Sequence, residues 1–303
     1  MRELLSRELN ARTREQVRGA ELTTFAIGGP LQYFIEPQSI EELQEIVRRT
    51  MAARIPYRVL GAGSNLLISS RGVGGLTIRL GKGFRTTEPE GSQLIRAGAS
   101  VSLMTLSRTL SDQGLSGLEF AGGIPASLGG AVAMNAGAHG GQMADVIEAV
   151  EVLLADGTTT RLPASELNFQ YRSASLPKGS VVFSVWLRLA EGSPERCSRL
   201  RAEFLAHRKA TQPLQSPCAG SVFKNPNTSA KGDGVAAGKL LEEVGVKALR
   251  EGGASVSSLH ANWIVNDSRA ATSDDVWRLV RRCQDAVKDR WDIWLEPEII
   301  PWE

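Results

Sequence analysis

The chain is poor in the side chains that build metal and redox centres: its 303 residues include three cysteines and three histidines. Cys197, Cys218 and Cys283 form no C-x-x-C pair, and three thiols cannot all be bridged internally. That usage predicts a reducing compartment and a cytoplasmic protein. His139, His207 and His260 stand too far apart in sequence for metal-ligand spacing, and there is no H-E-x-x-H motif, so no metal is expected. No apolar run approaches the roughly 20 residues that span a bilayer. The opening MRELLSRELN places charges where a signal peptide needs an apolar stretch, so no membrane partner is expected. Lys and Arg total 35 against 33 Asp and Glu, a net charge of +2. The basic residues fall in scattered pairs such as Arg48-Arg49 and Arg281-Arg282, which predicts no nucleic-acid partner. Gly232–Lys239 approaches a Walker loop, but its glycines miss the register and Leu240 stands where a Ser or Thr must reach magnesium. No G-x-S-x-G elbow exists. There is no internal repeat and no low-complexity tract, and among oligomeric states a monomer is favoured.

What is present is an ordinary globular composition, 42% apolar, long enough for two or three domains. Leu4, Leu5 and Leu9 suffice for one short amphipathic helix. Leu31–Ile35 alternates as a strand, and Ser39 with Glu42 three residues on forms a capping box before Leu43, Ile46 and Val47. Tyr57–Leu60, Leu76–Leu80 and Leu94–Ala97 read as strands. Leu103, Leu106 and Leu110 mark a helix stopped by Gly114. Ile147–Leu154, Asp156-Gly157 and Thr158–Leu162 make a hairpin. Val181–Leu189 alternates as a strand, and Ser193-Pro194 opens a helix that Pro213 and Pro217 follow as a boundary. Beyond it, Ala237–Val244 is helical, Trp263–Asn266 is a strand, and Val276, Leu279, Val280, Cys283 and Val287 stripe a long helix. Strands and helices mixed in this way predict an α+β protein.

Five stretches carry candidate chemistry. Gly114–Gly141 is dense in glycine and alanine and almost free of charge; it suits either backbone wrapped on a pyrophosphate or a tight crossover between packed elements. Gly61-Ala62-Gly63-Ser64-Asn65-Leu66 follows a strand but lacks the third glycine of the dinucleotide fingerprint, and Leu66–Ile68 reads as strand where that fingerprint needs a helix, so a Rossmann site is excluded. This loop is either a phosphate nest or a hairpin turn. Ala219–Pro226 places Ser221 before Lys224 and Asn225, which can grip an anion or make a polar turn. Glu296 interrupts the strand-like WLEPEII, either solvated or held for a purpose. Arg172 follows two aromatics in Asn168–Ser173 and by itself reads as structural.

Taken in order, TTFAIGGP, VLGAGSNLLI, FAGGIPASLGGAVAMNAGAHGG, FQYRSASL, CAGSVFKNP, AGKLLEEVG, HANWIVN and LEPEI resemble the UDP-N-acetylenolpyruvoylglucosamine reductase family, flavoenzymes of peptidoglycan precursor synthesis, over nearly the whole chain. The resemblance implies an FAD-binding fold of the vanillyl-alcohol-oxidase type, built from two α+β subdomains, plus a C-terminal α+β substrate-binding domain. The expected bounds are 1–80 and 81–209 for the flavin-binding subdomains and 210–292 for the substrate domain, with 293–303 returning to the first. FAD is expected to be noncovalent, because the phosphate loop carries Ser64 where covalent relatives carry a His, and NADPH is the implied cosubstrate. By resemblance, Gly61, Gly63, Ser64, Asn65 and Leu66, with Gly122, Gly123, Ile124, Pro125, Gly129, Gly130, Asn135 and Gly137, surround the FAD pyrophosphate and adenosine, and Arg208 lies near the flavin.

The same resemblance assigns catalysis to Arg172, Ser221 and Glu296, and substrate contacts to Lys224 and Asn225. It implies hydride delivery from flavin N5 to the enol-ether carbon, stabilisation of the resulting negative charge by Arg172 with help from Glu296, and protonation by Ser221. The interval from Arg172 to Ser221 is too short for the tyrosine-bearing loop of some members, so the chain resembles the compact subtype. Competing readings are another FAD-dependent oxidoreductase of this fold and a noncatalytic sugar-nucleotide sensor.

Overall fold

Asp156-Gly157 reverses the chain where the sequence pattern places a hairpin. In the computed structural model, which describes residues 5–226 and 234–303, Gly157 has φ +85°, and Ile147–Leu153 runs antiparallel to Thr159–Pro163 from the Leu153/Thr159 pair outward. The hairpin edges a five-stranded sheet ordered 159–163, 147–153, 181–188, 94–98, 87–89, antiparallel throughout. Val181–Arg188 is its central strand and is buried at every position before Arg188. Both of its faces are therefore covered, and the apolar positions extend beyond the alternation that a half-buried strand would show.

The chain divides into two compact units. The first comprises Met1–Gln16, Gln32–Gly61 and Gly75–Ala206; the second comprises Val17–Leu31, Ala62–Gly74 and His207–Glu303. The first unit's core gathers Leu43, Ile46 and Val47 of the Ile40–Ala52 helix and Leu103, Leu106 and Leu110 of the Leu103–Asp112 helix with the sheet residues Ala97, Val150, Val152 and Val185. Ser39 caps the first of these helices by accepting from the Glu42 N–H. Glu42, however, reaches back to the N–H of Gln38, one residue earlier than a regular capping box. At the other end of the unit a short helix, Arg7–Arg12, buries Leu9; Leu4 lies outside the described residues, as does the part of Gly232–Lys239 before residue 234.

The second unit is built on the Ser273–Trp291 helix, whose Val276, Leu279, Val280, Cys283 and Val287 all enter the core. Burial pushes the Cys283 thiol up to about 12, which makes it an inert core residue rather than a nucleophile. All three cysteines are buried and unbridged. The strand expected from WLEPEII forms only at Ile300–Trp302, pairing parallel with Leu66–Ile68. Residues 295–299 are tied in differently: Gln284 of the long helix, itself buried, donates to the Leu295 carbonyl at 2.9 Å. The helix thereby fixes the residue that precedes Glu296.

A reciprocal capping box starts this helix: Thr272 Oγ1 accepts from the Asp275 N–H and Asp275 Oδ2 accepts from the Thr272 N–H. The Thr272 N–H, helped by the Thr272 hydroxyl, the Gly253 N–H and the Arg278 cation, holds the Asp275 carboxyl below its ordinary range against the opposing effect of burial. A depressed folded pKa contributes stability that is present above the unfolded value, roughly 4, and is lost as pH falls through the folded one. Asp275→Asn is expected to cost about 1 kcal/mol at neutral pH. Urea titrations should show the gap to the parent closing as pH drops below roughly 4; a gap independent of pH would show that the carboxylate's charge is not what stabilises the cap.

Candidate active site

In the second unit, the glycine loop after Leu60 is not a hairpin turn. The strand after it, Leu66–Ile68, pairs with Ile300–Trp302, and the strand before it, Tyr57–Val59, pairs parallel with Leu76–Ile78. Each flanking strand is thus committed to another partner. Gly63 adopts φ +68°, and a Cβ there would stand 2.2 Å from the Leu22 carbonyl oxygen, so only glycine fits. The Gly63 carbonyl accepts from Thr24, and Asn65 is pinned to the C-terminal segment through Nδ2 to the Glu298 carbonyl, 3.0 Å, and through its own carbonyl to the Ile300 N–H. The N–H groups of Ala62, Gly63, Ser64 and Asn65 donate to no protein acceptor among the described residues. Consecutive unpartnered N–H groups on a glycine turn fit a pyrophosphate, and Ser64 adds a hydroxyl beside them. The Ser64 carbonyl oxygen lies 3.9 Å from where a Cβ on Gly220 would stand, so this loop adjoins the turn that carries Ser221.

Ser221 leads into a short antiparallel pairing. The Lys224 N–H donates to the Glu296 carbonyl at 2.9 Å and the Glu298 N–H to the Val222 carbonyl at 2.7 Å, with Phe223 opposite Pro297. In this register Phe223 and Pro297 are a non-hydrogen-bonded pair whose backbone groups point away from each other, so the missing N–H of proline removes nothing from the ladder. The sequence Leu-Glu-Pro-Glu is therefore compatible with pairing at this one register. Lys224 and Glu296 face each other across it and form an ion pair, Nζ to Oε1 2.5 Å, with the Glu296 side chain 70% exposed. Two of the three predicted catalytic residues, Ser221 and Glu296, thus come from segments some seventy residues apart that this unit sets side by side.

In the first unit the glycine-rich segment is mostly packed backbone. A Cβ on Gly122 would meet Arg201 at 2.5 Å, one on Gly129 would meet Ala99 at 2.9 Å, and one on Gly61 would meet the Ser127 hydroxyl at 2.6 Å. The first N–H groups of the Leu128–Ala133 helix are already engaged, Leu128 by Val101, Gly129 by Ala99 and Gly130 by the Ser127 hydroxyl. Asn135, 2% exposed, donates through Nδ2 to Gln142 Oε1 and to the Gln170 carbonyl and accepts from the Ala144 N–H, each at 3.0 Å. Its amide thus ties this segment to the tight turn Gln170–Ser173, which is closed by backbone bonds between its two ends. Arg172 sits in that turn at φ +60°, a left-handed conformation that costs a non-glycine residue on the order of 1 kcal/mol or more. Its Nη1 donates to the Gly137 carbonyl at 3.3 Å and its guanidinium lies 5.0 Å from the Tyr171 ring centroid.

Several predicted contacts have protein partners of their own. Asn225 Oδ1 accepts from the Ala237 N–H and so caps the Ala237–Glu243 helix. Arg208, 9% exposed, donates to Gln212 and lies close enough to Cys218 to oppose the upward push of burial on its thiol. Ile124 and Pro125 lie in the first unit at the segment's more exposed bend. The segment HANWIVN carries the family resemblance with no role evident in its sequence. The structure gives its Asn262 three bonds to Val222 and Phe223 and its Asn266 bonds to Phe25 and Ala26. The available signal was two asparagines in an otherwise apolar run.

A cradle of N–H groups that lack a protein acceptor among the described residues, with a hydroxyl, a carboxylate and a cation on paired segments of the same unit, suits an anionic ligand, and residues 30–163 match the FAD binding domain model, which places the chain among flavin-binding proteins. Residues 212–302 match the C-terminal domain model of UDP-N-acetylenolpyruvoylglucosamine reductase. The chain is 41% identical over 289 residues to the enzyme of that name from Parasynechococcus marenigrum, covering 94% of each. It is 37% identical over 288 residues to the one from Anoxybacillus flavithermus, covering 94% of this chain and 93% of the other. The crystal structure of UDP-N-acetylenolpyruvylglucosamine reductase from Thermus caldophilus superposes with a TM-score of 0.82 at 41% identity, covering 96% of this chain and all of that one. The chain belongs to the UDP-N-acetylenolpyruvoylglucosamine reductase family, with an α+β fold.

Replacing Asn135 by Ala would leave the Gln170 carbonyl and the Ala144 N–H without their partner. The expected loss is roughly 1–3 kcal/mol, read by urea denaturation, together with faster hydrogen exchange at the Ser173 and Gln170 amides. Unchanged exchange there would mean the Arg172 turn holds without the tie.

Proposed function

We propose that this chain reduces the enolpyruvyl ether of UDP-N-acetylglucosamine to UDP-N-acetylmuramate, with NADPH as reductant, in peptidoglycan precursor synthesis. The observation that carries the reading is the pairing of the Ser221 and Glu296 segments in a unit whose sequence matches the C-terminal domain of this reductase family. Bound FAD would supply the two-electron chemistry that couples NADPH oxidation to reduction of the substrate's double bond. Gly61–Leu66 would hold its pyrophosphate through the N–H groups and the Ser64 hydroxyl, and the resemblance adds Gly122–Gly137 and Arg208 to the cofactor contacts. The finer division into residues 1–80, 81–209 and 210–292 belongs to the same proposal.

The chain's own groups handle charge and protons. Hydride addition drives the π electron pair onto the adjacent carbon and the substrate carboxylate. Arg172, cationic at any physiological pH, stabilises that charge as it develops, and a turn fixed before the reaction avoids reorganisation at that moment. The Ser221 hydroxyl then gives its proton to the adjacent carbon and recovers one from solvent, so that NADPH and one proton are consumed. Glu296 assists at the developing acid. Its ion pair keeps Lys224 at the site, where the ammonium meets the substrate's anionic groups, while Asn225 fixes the neighbouring helix.

Anaerobic stopped-flow separates the two halves. Ser221→Ala is expected to leave bleaching of the flavin by NADPH within about twofold and to slow its recolouring by the enolpyruvyl nucleotide by roughly 10²–10⁴-fold, the range for loss of a positioned acid. Equal slowing of both phases would show that Ser221 shapes the pocket instead. A preparation that takes up no FAD would sink the reading altogether.

A further inference from the structure

Phe223 turns its N–H and carbonyl away from Pro297, and both groups are buried with the residue. Their partner is one side chain. Asn262 Oδ1 accepts from the Phe223 N–H at 2.9 Å, Asn262 Nδ2 donates to the Phe223 carbonyl at 2.9 Å, and the Asn262 carbonyl accepts from the Val222 N–H at 2.9 Å. The amide thus does what a neighbouring strand's peptide would do, on the side of Val222–Phe223 opposite to Glu296–Glu298. We propose that Asn262 is a positioning residue for proton delivery: its clasp on Val222 and Phe223 sets the Ser221 hydroxyl in register with Glu296. The proposal rests on the reductase reading given above.

Three further observations support a rigid clasp. Asn262 is 4% exposed, so water does not compete for its amide. Its own N–H donates to His260 Nδ1 at 3.2 Å, which fixes the loop from which the side chain projects. That nitrogen accepts only in neutral imidazole, and burial, then the Lys247 cation, hold His260 below its ordinary range, with Glu242 opposing. Finally, a Cβ on Gly238 would stand 2.8 Å from the His260 ring, so the Ala237–Glu243 helix backs the imidazole closely. The Asn262 amide is buried and engaged on both its oxygen and its nitrogen by Phe223, so it acts through Ser221.

Two variants separate positioning from mere stability. Asn262→Asp keeps the acceptor for the Phe223 N–H and loses the donor, whereas Asn262→Leu loses both. Hydrogen exchange at the Val222 and Phe223 amides reads the clasp without any chemistry and is expected to speed up at least tenfold in the Leu variant and less in the Asp variant. Stopped-flow, scaled to bound flavin, reads the consequence. Bleaching by NADPH should stay within about twofold, while recolouring by the enolpyruvyl nucleotide slows by roughly 10–100-fold, the cost of a displacement on the order of 1 Å. Recolouring should also show a larger solvent deuterium isotope effect, because proton transfer has become limiting. Unchanged exchange would overturn the clasp. Faster exchange with normal recolouring and an unchanged isotope effect would overturn the positioning role. If the parent protein bleaches but never recolours, the reductase reading fails and the positioning role with it, and exchange still judges the clasp.

Discussion

Four backbone groups, those of Val222 and Phe223, are the constraint on which the second unit's chemistry depends. They are buried, and a buried peptide group without a partner costs roughly 1–3 kcal/mol. The fold satisfies them from two sides, by Glu298 and by Asn262. Each partner is itself anchored: residues 295–298 by Gln284 of the long helix and by Asn65 of the glycine loop, and Asn262 by His260. The same bonds that satisfy polar groups therefore place Ser221, Glu296 and the N–H groups before Asn65 with little freedom left. For the proposed reaction, groups held in this way would need no reorganisation as charge develops, which is where electrostatic catalysis gains most.

The fold was legible wherever local rules decide it. The Asp-Gly turn, the Ser39 cap, the Gly114 stop and the stripe from Val276 to Val287 each follow from a few adjacent residues, and each formed. The misjudged element was WLEPEII. Its apolar, strand-like character promised one strand, but Pro297 permits pairing only where its nitrogen faces away from the ladder, so the run divides into a single bridge at Pro297 and a strand beginning at Ile300. The division of the chain into units was less legible still. Val17–Leu31 and Ala62–Gly74 join residues beyond 206, a long-range association that no local pattern encodes.

The resemblance proposes residues for the site but says nothing of what supports them. Asn135, which the resemblance puts near the cofactor, binds Gln142, Gln170 and Ala144 through its amide and holds the turn on which Arg172 adopts a left-handed backbone. Asn225, which the resemblance puts near the substrate, caps a helix. A conspicuous polar residue beside a functional motif can serve it by touching a ligand or by saturating buried backbone, and the second role is visible only in three dimensions.

The two units solve the same problem differently. In the first, the arginine sits in a strained turn that a buried amide ties down; in the second, the serine adjoins a ladder that a side chain completes. A turn tied at one point suits a guanidinium, whose long arm and several donors tolerate small displacements of the backbone while its charge acts over distance. A hydroxyl that hands a proton to carbon, the role proposed for Ser221, has a short arm and a narrow range of useful geometry, so such a role calls for a backbone fixed by bonds on both sides. Both units nevertheless use a buried asparagine amide as the brace, Asn262 at the Val222–Phe223 peptides and Asn135 at the Gln170–Ser173 turn.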